Sequence, residues 1–186
     1  EGDPEEGEEI YGVCAACHLP TGWGDPAGTF PQLAGQHVSV LIKQIADIRA
    51  GNRDNPTMYP FAIQIEGAQD LADVTAYIST LTMDVDNPKG KGNELPHGEA
   101  LYKENCVRCH GDLGQGSPKD SFPLIGGQNY HYIIRQLKWI RDGKRRNANP
   151  EMVKQVKAFT DRDFEAVADY VSRLRTPHHK TPEGMK

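Results

Sequence analysis

The chain lacks any apolar run approaching the eighteen or so residues that a membrane-crossing helix requires, so it is expected to have no span of its own. It opens on Glu1-Gly2-Asp3-Pro4-Glu5-Glu6, without a basic stretch followed by an apolar one, and so reads as a soluble, mature protein. Apolar residues are scarce, at 37% of 186, which is modest for a chain that must build a core from its own side chains. Something other than side chains is expected to fill the interior. Positive charge is also short, with 21 Lys and Arg against 26 Asp and Glu; a net charge of −5 disfavours nucleic acid as a partner. Finally, no cysteine is spare.

All four cysteines fall in two copies of one pattern, Cys14-Ala15-Ala16-Cys17-His18 and Cys106-Val107-Arg108-Cys109-His110. A four-cysteine zinc site could be assembled from two such pairs, but 92 residues separate them, far beyond the gap of a zinc ribbon. A thioredoxin-like redox motif would need a preceding strand and would not explain why His follows both pairs. Cys-x-x-Cys-His instead reads as covalent attachment of a c-type haem: the thiols add to the vinyl groups and the adjacent imidazole reaches the iron. Two copies predict two haem c groups, held by Cys14, Cys17 and His18 and by Cys106, Cys109 and His110.

The repeat extends beyond the cysteines. Phe30-Pro31-Gln32-Leu33-Ala34-Gly35-Gln36 returns 92 residues later as Phe122-Pro123-Leu124-Ile125-Gly126-Gly127-Gln128. A helix-period stripe follows each loop, Val38, Leu41, Ile42, Ile45 and Ile48 in one copy and Tyr130, Ile133, Ile134, Leu137 and Ile140 in the other. Gly51 and Gly143 end these helices. Closing helices carry Leu71, Val74, Tyr77, Ile78 and Leu81, and Phe164, Val167, Tyr170, Val171 and Leu174, the second opened by a capping box of Thr160 and Asp163. Short helical candidates, Glu5 to Val13 and Gly98 to Asn105, precede the haem motifs. The division predicts an N-terminal domain over 1–92, with a linker from about 82, and a C-terminal domain over 93–186, with a mobile or surface-draped tail from about 176.

Four methionines are present, and the repeat selects two of them as sixth ligands. Met58 lies 40 residues after His18 and Met152 lies 42 after His110, both in the loop past the long helix; Met83, in the linker, is the rival to Met58. Met83 and Met185 have no counterparts. Bis-histidine ligation would need different geometry in the two copies, so His37, His97, His131, His178 and His179 read as surface or rim residues. A ligating imidazole donates its other N–H to a carbonyl or carboxylate, and the carbonyls of Pro31 and Pro123 are the expected acceptors for His18 and His110. Charge divides unevenly: residues 1–92 hold 5 basic against 14 acidic side chains, net −9, and residues 93–186 hold 16 against 12, net +4. Such a dipole would orient a redox partner on encounter.

The two haem motifs, the two Phe-Pro loops, the helices ending Ile48-Arg49-Ala50-Gly51-Asn52-Arg53 and Ile140-Arg141-Asp142-Gly143-Lys144-Arg145, and the methionine beyond each together resemble the diheme cytochromes c of the cytochrome c4 type. The resemblance implies an all-α fold of two tandem class I cytochrome c domains, each of about three main helices wrapped around one covalently bound haem. It implies ligation of one iron by His18 and Met58 and of the other by His110 and Met152, with haem edges close. It further implies a periplasmic bacterial electron carrier, serving redox proteins such as a terminal oxidase or a dehydrogenase, or built into a dehydrogenase complex as a subunit. A diheme enzyme such as a peroxidase would need a labile axial position, and a thiosulfate-oxidising cytochrome a cysteine-ligated iron for which no thiol is spare. Donor, acceptor and oligomeric state are left open, a monomer among the possibilities.

Overall fold

Asp3 accepts a hydrogen bond from the Glu5 N–H and Pro4 follows at the first helical position, so one orphan donor of the helix start is satisfied and another is removed. From this cap α1 runs Pro4–His18 and carries the whole first haem motif, five residues beyond the expected end. The computed structural model describes residues 1–179, and its fold is all-α; the described residues add one isolated antiparallel bridge, Ser117 to Phe122. In the first half α2 (Val38–Arg49), the one-turn α3 (Tyr59–Ala62) and α4 (Ala68–Thr80) follow. In the second half α5 (Leu95–Asn105) breaks at Cys106 before α6 (Val107–His110), and α7 (Tyr130–Arg141), α8 (Pro150–Val156) and α9 (Asp161–Arg173) complete the repeat.

Within each half the first helix crosses the last, and the long middle helix packs on that last helix: α1 and α2 against α4, α5 and α7 against α9. The crossings depend on glycine. A Cβ at Gly7 would lie 2.0 Å from the Asp73 carbonyl oxygen and one at Gly98 2.1 Å from that of Ala166, so only glycine lets the backbones approach this closely. Tyr11 tilts over Tyr77 with ring centroids 5.3 Å apart, and Tyr102 over Tyr170 at 5.5 Å. One core gathers Tyr11, Leu41, Ile65, Leu71, Val74 and Ile78; the other half holds two, around Tyr102, Val167 and Val171, and around Ile140, Val156 and Phe164. The capping box of α9 is present as read from Thr160 and Asp163.

Two expectations need correction. The segment after 82 is not a free linker: Met83 is 2% exposed and fills an apolar contact between the halves with Ala34 and Leu124. Asn87, also buried, donates to the carbonyls of Gln128 and Ser172, and the Gly92 N–H donates to the Asp169 carboxylate. Nor is the chain loose from 176 to 179. Thr176 is buried, its hydroxyl lies on the Met83 sulfur, and the His178 carbonyl accepts from the Met83 N–H. The remainder of the predicted tail, with Met185, lies outside the described residues.

Candidate functional site

The two Cys-x-x-Cys-His segments end their helices under the same restraint. The Tyr11 hydroxyl donates to the Leu19 carbonyl at 2.7 Å, and the Tyr102 hydroxyl donates to the Gly111 carbonyl at 2.6 Å. Each accepting residue lies just past a motif histidine and takes the left-handed region, Leu19 at φ 66° and Gly111 at φ 76°. Leu19 bears a steric cost that Gly111 avoids.

His18 and His110 are 4% and 7% exposed. The Nδ1 of each lies 3.0 Å from a proline carbonyl oxygen, Pro31 for His18 and Pro123 for His110, as the sequence led us to expect. A carbonyl only accepts, so Nδ1 carries the proton and Nε2 carries the lone pair. Burial lowers the pKa of both rings, against the opposing pull of those hydrogen bonds, and so favours the neutral imidazole a metal requires. No hydrogen-bond partner takes Nε2 of either ring among the described residues.

The cysteines are not disulfide-bonded. Burial, with the neighbouring Cys17, pushes the Cys14 thiol up to about 11, and burial with Cys109 pushes Cys106 up to about 12. A disulfide-exchange nucleophile needs the reverse. Among the described residues no group of three or more His, Cys, Asp or Glu side chains is arranged to hold a metal ion, so the two pairs do not converge as a zinc ribbon would require. Unpaired thiols within a turn of a neutral imidazole with a free Nε2 are the donor set that a covalently attached haem takes, and the residues present fit that group.

The candidate methionines are not in plain loops. Met58 is the N-cap of α3, its N–H held by the Asn55 side chain at 3.1 Å. Met152 lies inside α8 and packs beside Ile140, Val156 and Phe164. Met83, the rival, is committed to the core between the halves. His97 meets the Asp163 carboxylate at 2.7 Å, His37 Nε2 lies 2.7 Å from the Gln115 carbonyl oxygen, and His131 is exposed. His179 is only half-exposed, and among the described residues its buried Nε2 has no hydrogen-bond partner.

Three features escaped the sequence reading. Tyr11 and Tyr102 repeat at a shift of 91, and that near-match was the available signal. Gln32, Gln36 and Gln128 stand out in the sequence only as parts of a repeated string, yet they bond across the halves. Arg53 and Arg145, noted only as basic residues after a helix, share the Gln44 side-chain oxygen as acceptor at 2.8 and 3.0 Å. Burial and the adjacent Arg53 charge push Arg145 down to about 10. Burial raises the Tyr132 hydroxyl, but the guanidinium groups of Arg53, Arg145 and Arg135 outweigh it and leave the net shift downward.

Residues 4–82 match the family model for cytochrome c, and residues 93–171 match that for subunit III of the cbb3-type cytochrome c oxidase. Cytochrome c4 of Pseudomonas aeruginosa is 34% identical over 93% of this chain and 89% of its own length. A thiosulfate dehydrogenase electron acceptor of Stutzerimonas stutzeri is 31% identical over 87% of this chain and 79% of its own length. Among solved structures, reduced recombinant cytochrome c4 from Pseudomonas stutzeri superposes with a TM-score of 0.84 at 31% identity, covering 94% of this chain and all of that one. With two cytochrome c domains, a Cys pair and histidine in each, and full-length relatives of this kind, the chain belongs to the cytochrome c4 family: it is a diheme electron-transfer protein that carries two covalently bound haem c groups.

Proposed function

We propose that Cys14 and Cys17 tether one haem and Cys106 and Cys109 the other, that His18 with Met58 and His110 with Met152 fill the axial positions, and that the protein is an electron carrier rather than an enzyme. The units are taken as 1–92 and 93–186. The observation that carries this reading is the bond of 3.0 Å from each histidine Nδ1 to its proline carbonyl, repeated in both halves, which aims a lone pair on Nε2 away from the protein's own donors. Each haem supplies a one-electron couple when bound. With a haem bound, the protein's part would be to hold each imidazole neutral and fixed by burial and to supply a thioether from Met58 or Met152, which would leave no coordination site for a substrate. The guanidinium groups of Arg53 and Arg145 have no carboxylate in ion-pair contact among the described residues and suit the acidic side groups of a porphyrin.

Redox proteins are the partners this reading assigns. Val13 and Leu19, flanking the first haem motif, are 48% and 42% exposed and offer apolar contact, while the charge imbalance between the halves orients approach. No described helix is long and apolar enough to cross a membrane. We place the protein in the periplasm, where c-type haem is attached. The relative named as an electron acceptor of thiosulfate dehydrogenase favours a second arrangement, in which this chain is the electron-transfer subunit of a dehydrogenase. Native size exclusion separates the two.

The test is ligand replacement in the haem-loaded protein. Met58→Leu and Met152→Leu are each expected to abolish the thioether-to-iron absorption of one haem and to let carbon monoxide bind that iron after reduction. The unmodified protein is expected to bind it at neither. Ready carbon monoxide binding by the unmodified protein, or full retention of the band in both variants, overturns the assignment.

A further inference from the structure

The peptide group that steadies each histidine is itself held by the opposite half. The Pro31–Gln32 peptide accepts from His18 Nδ1 at its carbonyl, and its N–H, that of Gln32, donates to Gln128 Oε1 at 3.0 Å. The Pro123–Leu124 peptide accepts from His110 Nδ1, and its N–H, that of Leu124, donates to Gln36 Oε1, also at 3.0 Å. Each glutamine closes the contact with its amide group: Gln128 Nε2 donates to the Gln32 carbonyl at 2.8 Å and Gln36 Nε2 to the Leu124 carbonyl at 2.9 Å. Each Oε1 also takes the N–H of the next residue in its own chain, Asn129 at 2.8 Å and His37 at 3.0 Å. Two N–H donors on one atom and a carbonyl against the other admit only one orientation of each amide. Gln36 and Gln128 are repeat equivalents, as are Gln32 and Leu124, so the two sets of contacts are related by an approximate two-fold axis through the junction.

We infer that Gln128 and Gln36 are cross-domain positioning residues, each strengthening the hydrogen bond that orients the haem-binding histidine of the other half. An amide whose N–H is bonded carries more negative charge on its oxygen, because hydrogen bonds in series polarise one another. The Pro31 oxygen therefore draws the His18 Nδ1 proton more strongly when Gln128 is in place, and Nε2 becomes the more basic ligand. A more basic imidazole favours the oxidised iron. Removing Gln128 should raise the reduction potential in the half that does not contain it.

This rests on His18 and His110 being iron ligands. The experiment is a potentiometric titration of the haem-loaded protein with the two haems resolved, alongside proton NMR of the ligand-ring N–H groups. In Gln128→Leu the N-terminal haem is expected to favour reduction about threefold more, about 28 mV, and the C-terminal haem to stay in place. Gln36→Leu is expected to do the reverse. Gln128→Glu keeps an acceptor for the Gln32 N–H and should leave the N-terminal potential at or below its original value. A shift confined to the mutated half, an equal rise in both, or no shift in a folded variant overturns the inference. Should Gln128→Leu part the halves, Gln36→Leu and Gln128→Glu decide by the same criteria. Ring N–H resonances of the unmodified protein without paramagnetic shift would remove the ligand assignment instead, whatever the variants show.

Discussion

Gly7 and Gly12 lie in the same helix, and the structure predicts opposite outcomes for the same substitution. At Gly12 an added Cβ meets nothing within 4 Å, so Gly12→Ala should gain only the helix propensity of alanine, about 0.5–1 kcal/mol. At Gly7 the same atom would sit 2.0 Å from the Asp73 carbonyl oxygen and 2.9 Å from the Tyr77 Cβ, whereas ordinary contact begins near 3.4 Å. The oxygen belongs to the backbone of α4 and cannot swing away as a side chain could. To relieve the overlap α1 must move off α4 by more than an ångström. A gap of only about 0.5–1 Å already forfeits a quarter to a half of each dispersion contact it opens, here those joining Tyr11 to the cluster of Leu71, Val74 and Ile78. Overpacking of this kind costs about 1–3 kcal/mol, from which the propensity gain is subtracted. Gly7→Ala should therefore lose about 1 kcal/mol net, a fall in midpoint of roughly 4–8 °C for a domain of this size. Thermal unfolding of the haem-loaded protein, followed by far-ultraviolet circular dichroism, reads both variants. If Gly7→Ala proves as stable as Gly12→Ala, the close crossing of α1 and α4 is wrong.

Burial, reinforced by the Arg175 and His178 charges and opposed by Asp84, holds His179 down to about 4, so the free form takes up a proton below about 6.5 while the docked form does not. Docking of Thr176–His179 is fully present above that value and lost as pH falls toward 4; backbone hydrogen exchange should show this loss, and His179→Asn should flatten it. In the cap of α9 the Thr160 N–H and hydroxyl, then His97, hold the Asp163 carboxyl below its ordinary range, so its contribution is present above that range and lost as pH falls through the lowered value. Thr160→Ala should cost about 1 kcal/mol near neutrality, and Asp163→Asn should remove this part of the acid sensitivity of unfolding.

What the sequence made legible was whatever repeats with a period or a fixed chemical role. The stripes at Val38–Ile48 and Tyr130–Ile140 became α2 and α7 because apolar spacing of three and four residues leaves a helix one face to bury. Gly51 and Gly143 end them with φ near 75°. The proline carbonyls were found because an imidazole with one nitrogen committed must place the other N–H somewhere. The junction was not legible. Thr82 to Pro96 has the composition of a linker, and nothing local reveals that Met83 and Asn87 are buried by residues some 40 to 90 positions away. The helix around Met152 reads as loop in the sequence because one short helix bounded by Asn149 and Lys157 gives too few residues for a period to show.

The duplication also shows how identical motifs can yield unlike halves. Backbone contacts at the junction obey the approximate two-fold axis, because Gln36 and Gln128 each need only an N–H and a carbonyl from the other loop, and any residue but proline supplies both. Side chains at those positions are then free to differ. Gln32 spends its own amide on the Gly127 carbonyl and the Asp84 N–H, pinning the interdomain segment, while its counterpart Leu124 packs on Ala34 and Met83. Arg53 likewise reaches Tyr132 across the junction, whereas Arg145, its equivalent, reaches Gln44 and is pushed down by burial and the Arg53 charge. Two sites with the same motif and the same proline carbonyl therefore sit in different dielectric and charge surroundings, one half at −9 and the other at +4. A difference in electron affinity between the two haems is expected from those surroundings, and from the unlike settings of the candidate ligands Met58, at the N-cap of α3, and Met152, inside α8.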